Sequence, residues 1–481
     1  PFNGIYKAQK GVDFPQDSKE QLNEAIKAVF NATKTAELNA DLNGNAKNDS
    51  GQIFTIGNGT KQYVYSGREG SVVYDVTVTE SGYYNILLDY IPFTSVELLD
   101  AKGINTTEES GGSPIERIIK INDEVLFDDL ANVSFLRTWS DDPEGEKFID
   151  AAQNEIKPRQ VEVPRDVQQY VRDSVGYVTE PYLVYFEANE TTQITIESIR
   201  ENMGISNVFI TSRENYETYD EYKQSHSDKE VINGQIAYHV QGEGGESLQY
   251  KGEEVVGTFY STVIRSSSTI YGISDRTSAY NSMIVDGQEA ESSPVRIVLN
   301  SIGGSKWSTP GDWIQWDVEV EKAGLYQISL RAKQNISRGL FSTRKLSIDG
   351  QVPFAEAMNC KFVYGSSWSV VTLGGQVGDS EEGYYFYLDE GKHTITLECT
   401  LGDYASQIAR VQAVIDDLNG LYRKIIQKTS INPDPYMDYF KNQSGKKLLE
   451  EADKIFAQSI EILKDVSEKI TEISGEKSSE T

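Results

Sequence analysis

Four of the chain's five tryptophans, with one tyrosine, fall where an aromatic ring could hold a ligand. Trp307, Trp313, Tyr364 and Trp368 lie in the second half of the chain, with Asp275, Arg276 and Arg338 as polar companions. Arg137 and Trp139 occupy a matching loop in the first half. An exposed ring offers a platform to the apolar C–H face of a sugar, and planar polar groups beside it catch hydroxyls. The same residues also suit domain ends and seams between domains, because aromatic side chains are favoured at interfaces. Both readings stand for each residue.

Catalytic chemistry is not legible. The three histidines are His226 and His239, in a linker, and His393, in a turn where it would steady the start of a strand. No metal-type histidine pairing, nucleophile elbow or phosphate loop occurs. With 74 acidic residues, carboxylate pairs carry no information. The chain is therefore read as non-enzymatic. Asp41 to Gln52 resembles a calcium loop, but Ala46 and Gln52 stand where that loop needs Gly and Glu, so a solvated Asn/Asp loop is the reading. A net charge of -29 argues against nucleic acid and anionic membranes as partners. No stretch is long and apolar enough for a membrane helix. Cys360 and Cys399 share parity with inward-facing residues and read as buried free thiols, with one bridge between them as the alternative.

The elements that must position these residues are strands. Ile314, Trp316, Val318 and Val320 alternate with polar residues, Lys322-Ala323-Gly324 breaks the run, and Tyr326, Ile328 and Leu330 resume it. That is an antiparallel hairpin. Trp313 is out of phase with its inward face, so it should be more exposed than Trp316. The same hairpin occurs earlier, with Tyr74 on Trp316, Gly82 on Gly324, Tyr84 on Tyr326 and Leu88 on Leu330. Arg117–Phe127 then parallels Arg344–Phe354, and Gln193–Glu197 parallels Thr394–Glu398. The fold class is mainly β: two tandem antiparallel β-sandwiches, an N-terminal helix near 18–35 and a C-terminal helical hairpin. The divisions are 1–51, an N-terminal helical segment; 52–212, copy one; 213–245, a linker; 246–400, copy two; and 401–481, the hairpin and tail. Copy one carries insertions near 95–113 and 141–176 that could cover an edge, contact a partner or form a lid. Stripes Ile408–Ile425 and Leu448–Ile470 mark the two helices, which are expected to dock on a sandwich or on something outside this chain.

Gly311-Asp312-Trp313-Ile314-Gln315-Trp316, Gly324-Leu325-Tyr326, Leu346-Ser347-Ile348-Asp349-Gly350 and Leu388 to Ile395 together resemble carbohydrate-binding modules of the family 6 and family 35 type, which are galactose-binding-like jelly rolls. The order of segments, including Ser274 to Ser278 and Asn432 to Tyr436, is similar to the N-terminal half of large solute-binding lipoproteins of Gram-positive sugar ABC transporters. That resemblance implies binding of an oligosaccharide or cell-surface glycan without catalysis. The partners it implies are a downstream solute-binding domain and ABC transporter components. It places the chain outside the cell, at the bacterial surface, with a lipid anchor in the precursor. It also implies a structural calcium ion, with Glu253 as the matching ligand, although Ser206 stands where a second acidic ligand belongs. The alternative is a scaffold whose sandwiches have lost their sugar sites and position the downstream domain.

Overall fold

Strand Ile115–Ile121 buries Ile115, Arg117, Ile119 and Ile121 and leaves the residues between them half-covered, the period of two that one buried face dictates. The computed structural model describes residues 61–92, 111–142, 150–212, 216–232, 265–277, 295–375 and 383–475, less 153, 155, 158, 164, 179, 268, 269, 271, 296, 298 and 300. It also describes the strands Leu38–Asn39, Ile53–Ile56, Gly245–Lys251, Glu254–Ser261, Ile284–Val285 and Gln288–Glu289. The helix expected near 18–35, the acidic loop at 41–52, Glu253 and most of the first insertion lie outside the described residues.

Two tandem antiparallel sandwiches make the fold mainly β. In copy one, Ser71–Thr77, Thr191–Arg200, Ile115–Ile121 and Val133–Phe135 form one sheet in that order. Opposite lies Gly82–Pro92, paired with Met203–Thr211 on one side and with Val167–Tyr170 and Leu183–Phe186 on the other. Tyr74, Tyr84, Leu88, Ile119, Phe186 and Ile194 belong to the core of this copy. Copy two repeats the first sheet as Trp313–Val320, Gly391–Thr400, Phe341–Ile348 and Cys360–Val363. The register repeats too. Tyr74 faces Ile194, which faces Ile121; Trp316 faces Ile395, which faces Ile348. Gly82 faces Phe186 as Gly324 faces Leu388. Even the turn is fixed alike: Tyr84 Oη donates to the Glu80 carbonyl at 2.8 Å, and Tyr326 Oη to the Lys322 carbonyl at 2.6 Å.

The copies part where copy one adds its last strand, Met203–Thr211. In copy two the chain leaves Thr400 for a turn at Gly402–Tyr404 and a helix, Ala405–Thr429. The segment read as a linker supplies what is missing. Its helix Tyr219–Ser225 starts on a capping box between Thr218 and Glu221. Tyr222 enters the core of copy two beside Leu346, Phe354 and Phe386. The hydroxyls of Tyr222 and Tyr219 accept the backbone N–H groups of Tyr387 and Tyr385 at 2.8 and 3.0 Å, which satisfies an edge strand. Further on, Leu325 N–H donates to the Glu230 carbonyl and Ile232 N–H to the Leu325 carbonyl. A Cβ on Gly324 would lie 2.6 Å from Ile232, so this close approach needs glycine.

Helices Ala405–Thr429 and Gln443–Ser474 pack on each other through Val414, Leu421, Ala452, Ser459 and Val466. Ser430, at φ 65°, and the prolines after it end the first; Asn442 caps the second, and Gly475 at φ 74° ends it. Among the described residues the pair meets copy two at one end. Its described contacts gather at its base, where Tyr404 packs on Phe341 and Asp403 accepts from Asn359 and pairs with Lys361. Cys360 and Cys399 are both free, and both face Arg344 from the strands on either side of it. Two strand spacings, about 10 Å, separate them, beyond the reach of a disulfide.

Two consequences are measurable. Tyr222→Ala should destabilise copy two by about 3–5 kcal/mol as a core aromatic truncation, and Tyr222→Phe by about 1–3 kcal/mol through the unpaired Tyr387 N–H, in urea titrations followed by tyrosine and tryptophan fluorescence. His393 places Nδ1 2.7 Å from Asp349 and Nε2 2.7 Å from the Asp389 carbonyl. Only the imidazolium can donate to both. Burial alone would lower its pKa, but the two acceptors outweigh burial and raise it. The stability it adds is therefore complete below the ordinary histidine value, about 6.5, and is lost as pH rises through the raised one. Melting temperature should fall as pH is raised across that window, and His393→Asn should flatten the slope.

Candidate functional site

The clearest chemistry sits on the loops of copy two. Strand Ser329–Ala332 pairs with Ser369–Thr372 so that Ala332 faces Ser369, which sets Lys333 next to Trp368. The Lys333 ammonium lies 5.1 Å from the Trp368 ring centroid, a cation–π distance. Trp368 Nε1 donates to Asp275 at 3.1 Å, and Lys333 also pairs with Asp275 and reaches Thr277 Oγ1 at 2.9 Å. Burial alone would raise the Asp275 pKa; its bonds from Lys333 and Thr277 outweigh burial and hold it at about 2. Asp275 is thus a fixed anion, and the indole is pinned through its nitrogen while remaining half-exposed.

Tyr364 and Arg338 stand exposed on two neighbouring loops. Gly365 N–H donates to the Gln334 carbonyl at 2.7 Å, which ties those loops together. The Gln334 side chain folds the second loop, accepting from Ile336 and Ser337 and donating to the Ser337 and Leu340 carbonyls. Arg276 is exposed beside Asp275. The structure therefore gathers Asp275, Arg276, Arg338, Tyr364 and Trp368 on linked loops. Lys333, Gln334 and Thr277 escaped the sequence reading. Lys333 and Gln334 follow directly on a strand whose partner begins after Trp368, and that pairing was the signal available.

The other candidates are placed elsewhere. Trp307 packs against the core of copy two, donates Nε1 to the Asp312 carbonyl at 3.1 Å and carries the Arg344 guanidinium 4.3 Å over its ring. It closes the sandwich end. Trp313 is half-buried, as Trp316 is, so the expected contrast in exposure is absent. The reason lies in the second insertion of copy one, which covers the outer face of that strand. There Arg165 donates to Gln315 at 2.8 Å.

Trp139 belongs to the seam between the copies. Strand Trp139–Asp141 pairs with Gln160–Glu162 on one side and, through Trp139, with Ser266 on the other. Arg265–Ser266 in turn pairs with Trp313–Val320, so one seven-stranded sheet runs from copy two into copy one. Arg172 reaches across to Glu398, which Lys345 also holds; burial raises the pKa of that carboxyl, and the two cations outweigh it and lower it. Gly176, at φ 81°, lies so close to Pro310 that a Cβ would meet it at 2.4 Å.

Arg137 is only 2% exposed. It pairs with Glu162 at 2.8 Å and Glu201 at 3.1 Å and donates to the Ser113 carbonyl at 2.7 Å. Glu162, pushed up by burial and pulled back only in part by Arg137, depends on this pair for its charge. These bonds place Arg137 out of reach of a ligand. Beside it, Arg117 donates to Ser66 Oγ and to the carbonyls of Ser66, Gly67, Glu116, Arg200 and Glu201. Among the described residues no group of three or more His, Cys, Asp or Glu side chains is arranged to hold a metal ion.

Arg137→Ala would leave the buried Glu162 without its cation and Glu201 with Arg68 and the Gly111 N–H, and should cost about 3–5 kcal/mol in chemical denaturation. A loss below about 1 kcal/mol would show that the cluster does not hold copy one together.

No protein-family model matches the sequence, and no curated protein matches it. Among solved structures the chain is similar to a family 35 carbohydrate binding module from an environmental isolate, at 10% identity and a TM-score of 0.16, over 37% of this chain and 89% of that one. It is also similar to the Podospora anserina GH26-CBM35 β-(1,4)-mannanase, at 10% identity and a TM-score of 0.18, over 40% of this chain and 35% of that one. A third is the Paenibacillus cycloisomaltooligosaccharide glucanotransferase complexed with cycloisomaltoheptaose, at 9% identity and a TM-score of 0.19, over 76% of this chain and 46% of that one. Likeness at this level assigns neither a family, nor a ligand, nor a reaction.

Proposed function

We propose that this chain is a non-catalytic carbohydrate-binding unit in which copy two binds and copy one holds. The observation that carries the reading is Trp368: a half-exposed indole fixed at its nitrogen by Asp275 and flanked by Lys333. A sugar packs its C–H face on such a ring, while Asp275, Arg276, Arg338 and Tyr364 offer groups for its hydroxyls. Fixing the ring before the ligand arrives lowers the ordering cost of binding. The matching place in copy one supports a scaffold, since Arg137 is buried in an ion cluster and Trp139 lies in the inter-copy sheet. We further propose that the unit works outside the cell, at a bacterial surface, lipid-anchored through its precursor, ahead of a solute-binding domain that hands sugar to an ABC transporter. Its resemblance to carbohydrate-binding modules of transporter lipoproteins is the support for that context. A calcium ion near Glu253 belongs to the same proposal.

A glycan array followed by calorimetry on the best oligosaccharide tests the function. Trp368→Ala should weaken binding at least tenfold with little change in melting temperature, and Asp275→Ala should weaken it less, by releasing the indole. Binding that survives Trp368→Ala intact would move the site elsewhere, and the absence of any glycan ligand would leave the scaffold reading in its place.

A further inference from the structure

The two C-terminal helices have unlike flanks beside their shared seam. On one flank, Arg410 pairs with Asp465 at 2.7 Å and Lys424 with Glu451 at 2.5 Å, bridging helix to helix. The other flank is apolar and uncovered by the described residues. Ile408, Ile415 and Tyr422 recur on it at intervals of seven in the first helix, and Leu449, Phe456 and Leu463 at the same interval in the second, with Ile460 beside them. Tyr422 is 60% exposed and Ile460 55%. Because the salt bridges mark the same side of both antiparallel helices, these stripes share the opposite side and form one face.

We infer that this face is a dimerisation surface, closed by the same face of a second copy of this chain into a four-helix bundle. Three features argue for that occupant. A period of seven is the spacing at which one helix meets another along its length. The face lacks charge along its stripes, so its complement is apolar and helical, and the face itself answers that description under a two-fold axis. Its seven large side chains leave on the order of 600 Å² exposed per copy, near the ~800 Å² that each partner gives to a stable interface.

The test is the mass of the full chain by light scattering after size exclusion, at tens of micromolar. The expected value is twice the 53.7 kDa of one chain. Ile415→Glu combined with Phe456→Glu should return it to a single chain. Both side chains are exposed within one copy, so circular dichroism should show the helices intact. Glu461→Lys, away from the face, should leave the dimer unchanged. A wild-type chain of single mass overturns the inference, including the case in which residues 1–37 cover the face in the same molecule. So does a dimer that persists in the double variant.

Discussion

The fold turns on the need to cover a sheet edge. Strand Trp313–Val320 lies at the edge of copy two's larger sheet, and an open edge of this kind invites pairing with other chains. Here the cover begins with copy two's own Arg265–Ser266 and continues into the neighbouring copy. Arg265–Ser266 adds two residues, and Trp139–Asp141 and Gln160–Glu162 continue the ladder inside copy one. Backbone bonds, the Arg172–Glu398–Lys345 cluster and the Gly176–Pro310 contact then fix one sandwich on the other. Tandem domains often turn about a linker. These two share a sheet and a buried ion cluster, so a hinge between them would break both.

That constraint explains why duplicated positions have diverged. Arg117 and Arg344 stand at the same place in the repeated strand and face Val133 and Cys360. In copy one the guanidinium is fully buried and gathers the carbonyls of three separate segments. In copy two it donates to the Thr343 and Trp307 carbonyls and stacks on the Trp307 ring. The loop after the next strand has diverged further. In copy one it buries Arg137 in that copy's own ion cluster and carries Trp139 into the seam, and in copy two it leaves Tyr364 and Trp368 on an outer loop. Of the two loops, copy two's is the one whose rings are left outside the seam, with Tyr364 exposed and Trp368 half-exposed.

Much of this was legible in the sequence, for a physical reason. Strand alternation and the gapless match of Tyr74 with Trp316 are local patterns, and the paired registers follow from them. The two helices were equally plain from their period, but not their seam: the stripe read from Ile408 to Ile425 includes Ile408, Ile415 and Tyr422, which are exposed, and omits Val414 and Leu421, which are buried. Less legible were contacts between segments far apart in the chain. Nothing local marks Tyr222 as a core residue of copy two, because its amphipathic helix is short and lies in a segment that reads as a connector. Arg137 and Trp139 looked like ligand residues because a planar cation and an indole serve sugars and seams equally. Only burial separates the two roles, and here it comes from segments distant in the chain: Glu162 and Glu201 of the same copy hold Arg137, and Ser266 of the other copy pairs with Trp139. Ile408, Ile415 and Tyr422 were read as part of one stripe with Val411, Leu418 and Ile425, because a single helix cannot tell one broad apolar face from two adjacent ones, of which only one is the seam.

The helical pair bears on the binding reading through geometry. Its first helix continues from strand Gly391–Thr400 after one short turn, and Tyr404 and Asp403 anchor that turn to Phe341, Asn359 and Lys361. The base of the pair is thus tied to the same sandwich that carries Trp368. On the two readings proposed here, joining two hairpins would hold two sugar-binding ends at a separation set by folded elements instead of a flexible tether. Single sites of this kind, with one fixed ring and a few polar groups, bind weakly. A polymeric or surface-bound glycan that spans both ends meets the second at high effective concentration, and avidity rises without any new contact. A short soluble oligosaccharide that reaches only one end gains nothing. Dimerisation would therefore make the unit discriminate by ligand length, a selectivity that neither sandwich can supply alone.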